Sequence, residues 1–234
     1  MTHARTVRIL SGGAAQGLVE ALLPSFEAST GCKIDGVFGA VGAMKARLLA
    51  DEPADIMILS RALIDGLARD GHVVGSSAKD IGAVATAVAA RRGDPLPPVG
   101  DAAELRTALL GADAIHFPDP EQATAGIHFA KVMQELGIRD EVAVRLMPAA
   151  NGATAMRELA ASTSRRPIGC TQATEIIATP GIVLVAALPS GCDLATVYSC
   201  AIAAKAGAPA EAAEFIAMLS GDRGRDSRRQ LGFV

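Results

Sequence analysis

A strand, a turn of small residues and an amphipathic helix follow one another at the start of the chain, and this order constrains the fold most. Val7–Leu10 is a short apolar run, and Ser11-Gly12-Gly13-Ala14 forms the turn. Apolar residues then recur at helical spacing, namely Leu18, Val19, Leu22, Leu23 and Phe26. Such a corner directs backbone N–H groups and the positive end of a helix toward one point, which suits an anion. A glycine pair is also common in tight turns without a ligand, so the corner alone leaves both interpretations open.

The same device recurs twice within the first third of the chain. The predicted strand Lys33–Phe38 runs into Gly39-Ala40-Val41-Gly42, and the predicted strand Asp55–Ser60 runs into Arg61 and a further helix. The third run is apolar enough to be buried on both faces, as the central strands of parallel sheets are. Three successive strand–helix units predict an α/β fold with ligands bound beyond the carboxyl ends of the strands.

Two long runs of Ala and Val, at 81–90 and 196–204, flank a second set of strand–helix units. This arrangement predicts two lobes, each with a doubly wound sheet. Lobe I would comprise residues 1–82 plus 205–234, and lobe II residues 93–189. The segments 83–92 and 190–204 would be hinge crossings between them.

Charge and residue content exclude several classes of function. The net charge of −3 and the near absence of Tyr and Trp argue against a nucleic-acid partner. No stretch approaches the roughly 20 apolar residues that a membrane span needs. The cysteines form no C-x-x-C pair and have no zinc-ligand spacing with the histidines, which predicts free buried thiols, no metal site and no cofactor. The cysteines are Cys32, Cys170, Cys192 and Cys200.

The first six residues run directly into the first strand, with no apolar leader and no cleavage site. If this is the native start, the protein is cytoplasmic and has no ABC permease as partner. If a signal peptide precedes it in the native protein, the location is periplasmic.

Four stretches of the chain resemble the periplasmic molybdate-binding proteins of ABC importers and, more widely, the type II periplasmic-binding-protein fold. They are Phe38–Ala43, Pro53–Ser60, Asp119-Pro120 with Ala125-Gly126, and Leu231-Gly232-Phe233. The resemblance follows the chain in order over nearly its whole length. It implies a two-lobed α/β protein that closes about a hinge over a small anion in the cleft between its lobes.

The departures from this family bear on the ligand. The family supplies serine hydroxyls at its first two corners, where this chain has Ala14 and Val41, although Ser11 is nearby. The family tyrosine after the strand at 166–170 is replaced by Cys170-Thr171-Gln172. A buried oxyanion would lose roughly 1–3 kcal/mol for each missing partner. These differences favour a di- or tricarboxylate over molybdate.

One stretch, Ile168–Gln172 followed by Glu175, resembles aconitate isomerase, whose relatives often show I-G-x-x-Q and then an acidic residue. This second resemblance is confined to that stretch. It implies an isomerase of the aconitate cis/trans type as the alternative function.

The resemblance and the corners together define the candidate ligand-binding residues. From lobe I these are Ser11, Gly12, Gly13, Ala14, Ala40, Val41, Gly42, Lys45, Ser60 and Arg61. From lobe II they are Ala125, Gly126, Asn151, Gly152, Thr171 and Gln172.

Three of the candidates and neighbours carry charge or can titrate. Arg61 follows a buried strand and can grip a carboxylate at two points. Lys45 is either a second cation at the site or part of a solvated helix face. His128, early in its helix, is the candidate catalytic group for proton transfer, with a surface role as the alternative.

Three hypotheses of function therefore follow from the sequence. The first is a binding protein for a small anion held by helix N-termini. The second is the isomerase. The third is an effector-sensing partner of a regulator, which would need another chain for any DNA contact.

Overall fold

The computed structural model describes residues 5–234, which form two compact units. Unit 1 contains the described residues up to Ala83 together with Thr196–Val234, and unit 2 is Val84–Ala195. The hinge crossings at 83–92 and 190–204 remain predictions. Met1–Ala4, part of the N-terminal stretch on which the cytoplasmic prediction rests, lie outside the described residues.

Unit 1 is built on a four-stranded sheet in the order β2-β1-β3-β9. The first three strands are parallel and β9 is antiparallel to β3. Its strands are β1 (Thr6–Gly12), β2 (Lys33–Gly39), β3 (Ile56–Ser60) and β9 (Ala195–Ile202). Its helices are α1 (Gln16–Thr30), α2 (Val41–Leu49), α3 (Arg61–Arg69), α9 (Pro209–Ser220) and α10 (Arg225–Gln230).

The core of unit 1 lies on both sides of β1 and β3. Ile56, Met57, Ile58 and Leu59 are all fully buried, as expected of a central parallel strand. On the helical side, Phe26 of α1 meets Phe215 of α9 edge to face, with 4.9 Å between ring centroids. α1 ends at Gly31, which has φ 68°, a conformation that closes helices and favours glycine.

Asp55, from the resembling stretch Pro53–Ser60, ties the ends of this unit together. Its carboxylate accepts the backbone N–H of Arg8 at 2.7 Å and that of Ala208 at 2.9 Å. Asp55 is 3 % exposed, and backbone donors satisfy both of its oxygens. The acidic residue of this motif is therefore structural here.

Unit 2 has a five-stranded sheet in which β4 lies between β8 and β7, and β5 lies between β7 and β6. β5, β6 and β7 are parallel, and β4 is antiparallel to both of its neighbours. The strands are β4 (Lys79–Arg91), β5 (Ala114–Pro118), β6 (Leu146–Ala149), β7 (Pro167–Gln172) and β8 (Ile182–Ala187). The helices are α4 (Ala102–Gly111), α5 (Thr124–Glu135), α6 (Arg139–Val142), α7 (Gly152–Ala161) and α8 (Ala173–Ala178).

The two faces of the unit 2 sheet are covered by different helices. Val88, Ile115, Phe117 and Cys170 share one core with Phe129 of α5 and Leu105 and Leu109 of α4. On the other face, a Cβ on Gly169 would lie 2.6 Å from Leu159 and 2.8 Å from Met156 of α7. Gly169 is therefore needed where α7 approaches the strand closely.

The predicted α/β fold and the three strand–helix units of the first third are confirmed. None of the helices among the described residues is both long and apolar enough to span a membrane. In that part of the chain all four cysteines are buried thiols outside any disulfide.

Candidate functional site

The predicted corners of unit 1 lie next to one another at the carboxyl edge of its sheet. Gly12, the last residue of β1, is opposite Gly39 of β2, and Ser11 is opposite Ile58 of β3. Because the three strands are parallel, the helices that follow them begin at the same edge. The structure thus brings together the unit 1 candidates, which follow the ends of β1, β2 and β3.

The helices at these corners begin without side-chain caps. Gly12 precedes the 3₁₀ turn Gly13–Ala15 that leads into α1, Ala40 precedes α2 and Ser60 precedes α3. Within the described residues none of the three positions accepts a first-turn N–H with its side chain. Such N–H groups have no partner within the helix, so these corners can offer them to an anion.

The side chains at the first two corners are small or apolar, and they are packed closely. Ala14, Ala40 and Val41 are each at most 6 % exposed. A Cβ on Gly12 would lie 2.8 Å from Cγ1 of Val41. Gly13 and Gly42 complete the turn before α1 and the first turn of α2. The backbone, rather than side chains, is what these corners present.

The role of Ser11 as a ligand-binding residue stays a prediction, and its hydroxyl has a partner within the protein. Ser11 is fully buried, and its hydroxyl donates to the carbonyl of Gly12 at 2.9 Å. A serine side chain has a single O–H to donate. The hydroxyl hydrogen of Ser11 is therefore already used within the protein.

Arg61 does not present an unpaired charge. Its guanidinium donates to the Asp65 carboxylate at 3.2 Å and to Asp80, and Asp80 also accepts the Ser199 hydroxyl at 2.6 Å. Burial acts to raise the pKa of Asp80, but the bonds from Ser199 and Arg61 outweigh it and the pKa is lowered. Asp65 lies one helical turn after Arg61, so that pair is local, whereas Asp80 comes from β4. Lys45 lies in the second turn of α2 and is half-buried.

The unit 2 candidates lie at the corresponding edge of its own sheet. Pro118 at the end of β5 is opposite Ala149 at the end of β6, and β7 lies on the other side of β5. Ala125 and Gly126 are in the first turn of α5 and are buried. A Cβ on Gly126 would lie 2.2 Å from the carbonyl oxygen of Asp119, so only glycine fits there.

The α7 corner differs from all of these because the chain supplies its own carboxyl group. Glu175 accepts the Thr171 hydroxyl at 2.5 Å and is further bonded by the backbone N–H groups of Gln172 and Ala153. A Cβ on Gly152 would lie 1.9 Å from Oε2 of Glu175. Asn151 caps the same helix, accepting the N–H of Thr154 at 2.9 Å. The N-terminus of α7 is thus occupied from within the protein.

Glu175 titrates far from the ordinary range of a glutamate. Burial raises the pKa of its carboxyl to about 7, although the Thr171 hydroxyl and the two backbone N–H groups act in the opposite direction. Glu175 is absent from the predicted site residues, and the only sequence signal for it is the acidic residue that follows Ile168–Gln172. Its neighbours Thr171 and Gly152, by contrast, were predicted at the site.

Two further polar side chains of unit 2 were singled out by the sequence. His128 Nε2 lies 2.8 Å from the Cys192 carbonyl oxygen, so this ring nitrogen must carry the hydrogen. Gln172 is 2 % exposed, and its amide nitrogen and oxygen have no partner among the described residues. A catalytic role for His128 remains a prediction.

His116 lies within β5 and is 7 % exposed. Burial lowers its pKa, and the charge of Glu158 acts in the opposite direction. Within the described part of the chain, no group of three or more His, Cys, Asp and Glu side chains could hold a metal ion.

Comparison with known proteins shows the family to which the chain belongs. Residues 7–234 match the family model described as bacterial extracellular solute-binding protein, and the chain belongs to this family. The fold is that of the molybdate-binding-protein-like periplasmic binding proteins.

The individual proteins that resemble this chain have low sequence identity to it. The chain is 27% identical over 224 residues to an aconitate isomerase from Pseudomonas sp, covering 92% of this chain and 82% of that one. It is 22% identical over 200 residues to the molybdate-binding protein of Escherichia coli (strain K12), covering 84% and 76%. The periplasmic molybdate-binding protein of Azotobacter vinelandii superposes with a TM-score of 0.81 at 18% identity, covering 97% and 98%.

The family is named for extracellular proteins. A cytoplasmic location and the lack of a permease partner, as expected from the N-terminal residues, stay predictions.

Proposed function

We propose that this protein binds a small carboxylate anion, a di- or tricarboxylate, through the N-termini of the helices at its sheet edges. The observation that carries the proposal is the set of three adjacent uncapped corners after β1, β2 and β3. Each helix end stabilises a nearby negative charge by about 0.3–1 kcal/mol when exposed and by more when buried. Enclosure of the solute by both units about a hinge stays part of the proposal.

A carboxylate fits these corners better than molybdate because the first two corners lack the serine hydroxyls of the molybdate-binding family. Ala14 and Val41 stand where the molybdate-binding family has serines, and the Ser11 proton is bonded to Gly12. A tetrahedral dianion has four oxygens to satisfy within one small volume, whereas the carboxylates of an extended acid can be shared among separate corners. The names of the relatives, an aconitate isomerase and a molybdate-binding protein, both refer to small anions.

The positive charge for a polyanion would come from Arg61 with help from Lys45. Arg61 is bonded to Asp65 and Asp80, so binding requires it to exchange one carboxylate partner for another. This exchange predicts a moderate loss of affinity in Arg61→Ala, about tenfold, rather than complete loss.

Calorimetry with citrate, tricarballylate, succinate, molybdate and sulfate tests the proposal directly. We expect the carboxylates to bind more tightly than the two inorganic anions. Ala40→Asp, which puts a carboxylate at the start of α2, should weaken citrate binding at least tenfold. Ala103→Asp, which adds the same charge to the first turn of α4 in unit 2, is the control and should leave binding unchanged. Submicromolar affinity for molybdate, or equal binding by both variants, would contradict the proposal.

Glu175 supports a second candidate, an isomerase of the aconitate cis/trans type. A carboxyl group with a pKa near 7 can both take up and return a proton at neutral pH. In this reaction it would remove a proton from the methylene carbon of cis-aconitate and return one to the far carbon of the allylic system, which moves the double bond. No second substrate is consumed.

Incubation of cis-aconitate with the protein, followed by chromatography, separates the two candidates. The isomerase predicts trans-aconitate, with turnover lost in Glu175→Gln while binding is kept. His128→Gln tests the alternative base in the same assay. Binding without any conversion by the wild-type protein would leave the binding function alone standing.

A further inference from the structure

Among the described residues, four buried side chains of unit 2 have polar atoms without hydrogen-bond partners, and two of the four, Thr86 and Gln172, lie on neighbouring strands. Thr86 of β4 is 1 % exposed and Gln172 of β7 is 2 % exposed. Thr86 Oγ1 and both amide atoms of Gln172 have no hydrogen-bond partner among the described residues. An unpaired polar group in a protein interior is costly, so native structures give nearly all such groups a partner.

These two side chains lie on the same face of the sheet. Thr86 is directly opposite Gln172 in the antiparallel register of β4 and β7. Side chains at directly opposed positions point to the same face, with Cβ atoms roughly 5 Å apart. A single small group between them can therefore bond to both.

Both backbone polar groups of Thr86 are hydrogen-bonded, which fixes the position of its side chain. Its N–H donates to the carbonyl of Leu194 at 2.8 Å, and its carbonyl accepts the N–H of Leu188 at 3.0 Å. The hydroxyl is therefore the one polar group of this residue that remains for another molecule.

The hydrogen-bonding properties of Thr86 and Gln172 favour an uncharged group as the one that binds between them. A threonine hydroxyl and a glutamine amide both donate and accept hydrogen bonds, and neither carries charge. A carboxylate buried between them would lack a compensating cation and would be strongly disfavoured. A hydroxyl group, which also donates and accepts, matches both partners.

We infer that Thr86 and Gln172 form a buried subsite that takes a hydroxyl group of the bound solute. The inference rests on the proposed function, and it narrows the solute from a carboxylate to a hydroxycarboxylate. Thr86 is outside the set of residues that the sequence indicated, because an isolated threonine in an Ala/Val run carries no signal for binding.

Citrate and tricarballylate are suitable probes because they differ only in one hydroxyl group. We expect the wild-type protein to bind citrate about tenfold more tightly, the effect of one or two hydrogen bonds in a buried site. Thr86→Val and Gln172→Met, which keep shape and remove polarity, should each bring this ratio close to one. Their affinity for tricarballylate should fall by less than their affinity for citrate.

Stability of the empty protein provides an independent readout. Because the replaced atoms have no partner, both variants should unfold at the same temperature as wild type or higher. Thr179→Val is the control, since the buried hydroxyl of Thr179 donates to the Glu175 carbonyl at 2.7 Å and lies outside the pair. It should lower the unfolding temperature and leave the citrate preference intact.

The outcomes distinguish the inference from the function on which it rests. Wild-type protein that binds neither acid contradicts the proposed function, and the subsite with it. Equal binding of both acids, or a citrate preference that survives both variants, contradicts the subsite alone. Lowered stability in both variants together with an unchanged preference would show that the pair holds a structural water instead.

Discussion

The corners of unit 1 and the α7 corner of unit 2 solve the same electrostatic problem in opposite ways. In unit 1 three helices begin with no side-chain cap among the described residues, at Gly12, Ala40 and Ser60. In unit 2 the start of α7 is capped by Asn151 and bonded to the carboxyl of Glu175. A helix N-terminus favours a negative charge in both cases.

This difference assigns different roles to the two kinds of corner. In the proposed function, the unit 1 corners offer their backbone N–H groups to a charged group of the solute. The α7 corner already holds a carboxyl group, whose protonation depends on pH near neutrality. Anion binding is thus expected mainly from unit 1, while the α7 corner contributes a group that can exchange a proton.

The largest expected effect concerns the pH dependence of stability at the α7 corner. The pKa of Glu175 is about 7 in the folded protein against 4.5 for an ordinary glutamate, so the folded state keeps a proton that the unfolded state has lost. The burial of protonated Glu175 contributes fully to the free energy of unfolding below pH 4.5, and this contribution is lost as the pH rises through 7. The difference between the two pKa values corresponds to about 3 kcal/mol in the free energy of unfolding.

Glu175→Gln should remove this dependence, because an amide does not titrate. The measurement is urea unfolding at pH 5 and pH 8, compared between the variant and wild type. Glu121→Gln, which alters an exposed carboxyl of the same unit, is the control and should keep the wild-type slope. A variant with an unchanged slope would show that Glu175 is ionised in the folded protein, and the comparison between corners would fail.

Close packing at the two corners predicts a second difference. Gly152→Ala should destabilise the protein by about 1–3 kcal/mol, since the new Cβ would lie 1.9 Å from Oε2 of Glu175, whose carboxyl group is held by three hydrogen bonds. Gly12→Ala should cost less, because its nearest neighbour is a methyl group of Val41 at 2.8 Å that can move. Thermal unfolding of the two variants measures this order. A larger loss of stability in Gly12→Ala than in Gly152→Ala would show that the α7 corner is loosely packed.

Capping predicts changes of opposite sign at the two corners. Asn151→Ala should lower the free energy of unfolding by about 1 kcal/mol, because the Thr154 N–H loses its acceptor. Ala40→Asn should not lower it, and should raise it by up to about 1 kcal/mol if the side chain reaches the first turn of α2. Chemical denaturation measures both, and a loss at both positions would show that the N-terminus of α2 is already satisfied.

His116 should produce a smaller effect on the acid side. Burial lowers its pKa, so below pH 6.5 the unfolded state takes up a proton before the folded state does, and stability is lost as pH falls. The opposing contribution of Glu175 is removed by working in the Glu175→Gln background. There, the loss between pH 7.5 and 5.5 should disappear when His116→Leu is added. A loss of equal size in the double variant would assign it to other groups.

The alternation of short apolar runs, small-residue turns and helical periodicity was sufficient to predict the α/β fold. β3 and the corners at Gly12 and Ala40 were recognisable because their pattern is local: apolar strand, small residues, helix.

Other features were decided only by tertiary structure, because they depend on residues far apart in the chain. The ion pair of Arg61 with Asp80 and the pairing of Thr86 with Gln172 join different strands and helices. The raised pKa of Glu175 likewise requires the start of α7 to pack over the end of β7. Sequence periodicity reports which face of an element is buried, but burial, desolvation and hydrogen-bond satisfaction are set by the neighbours that folding brings to that face.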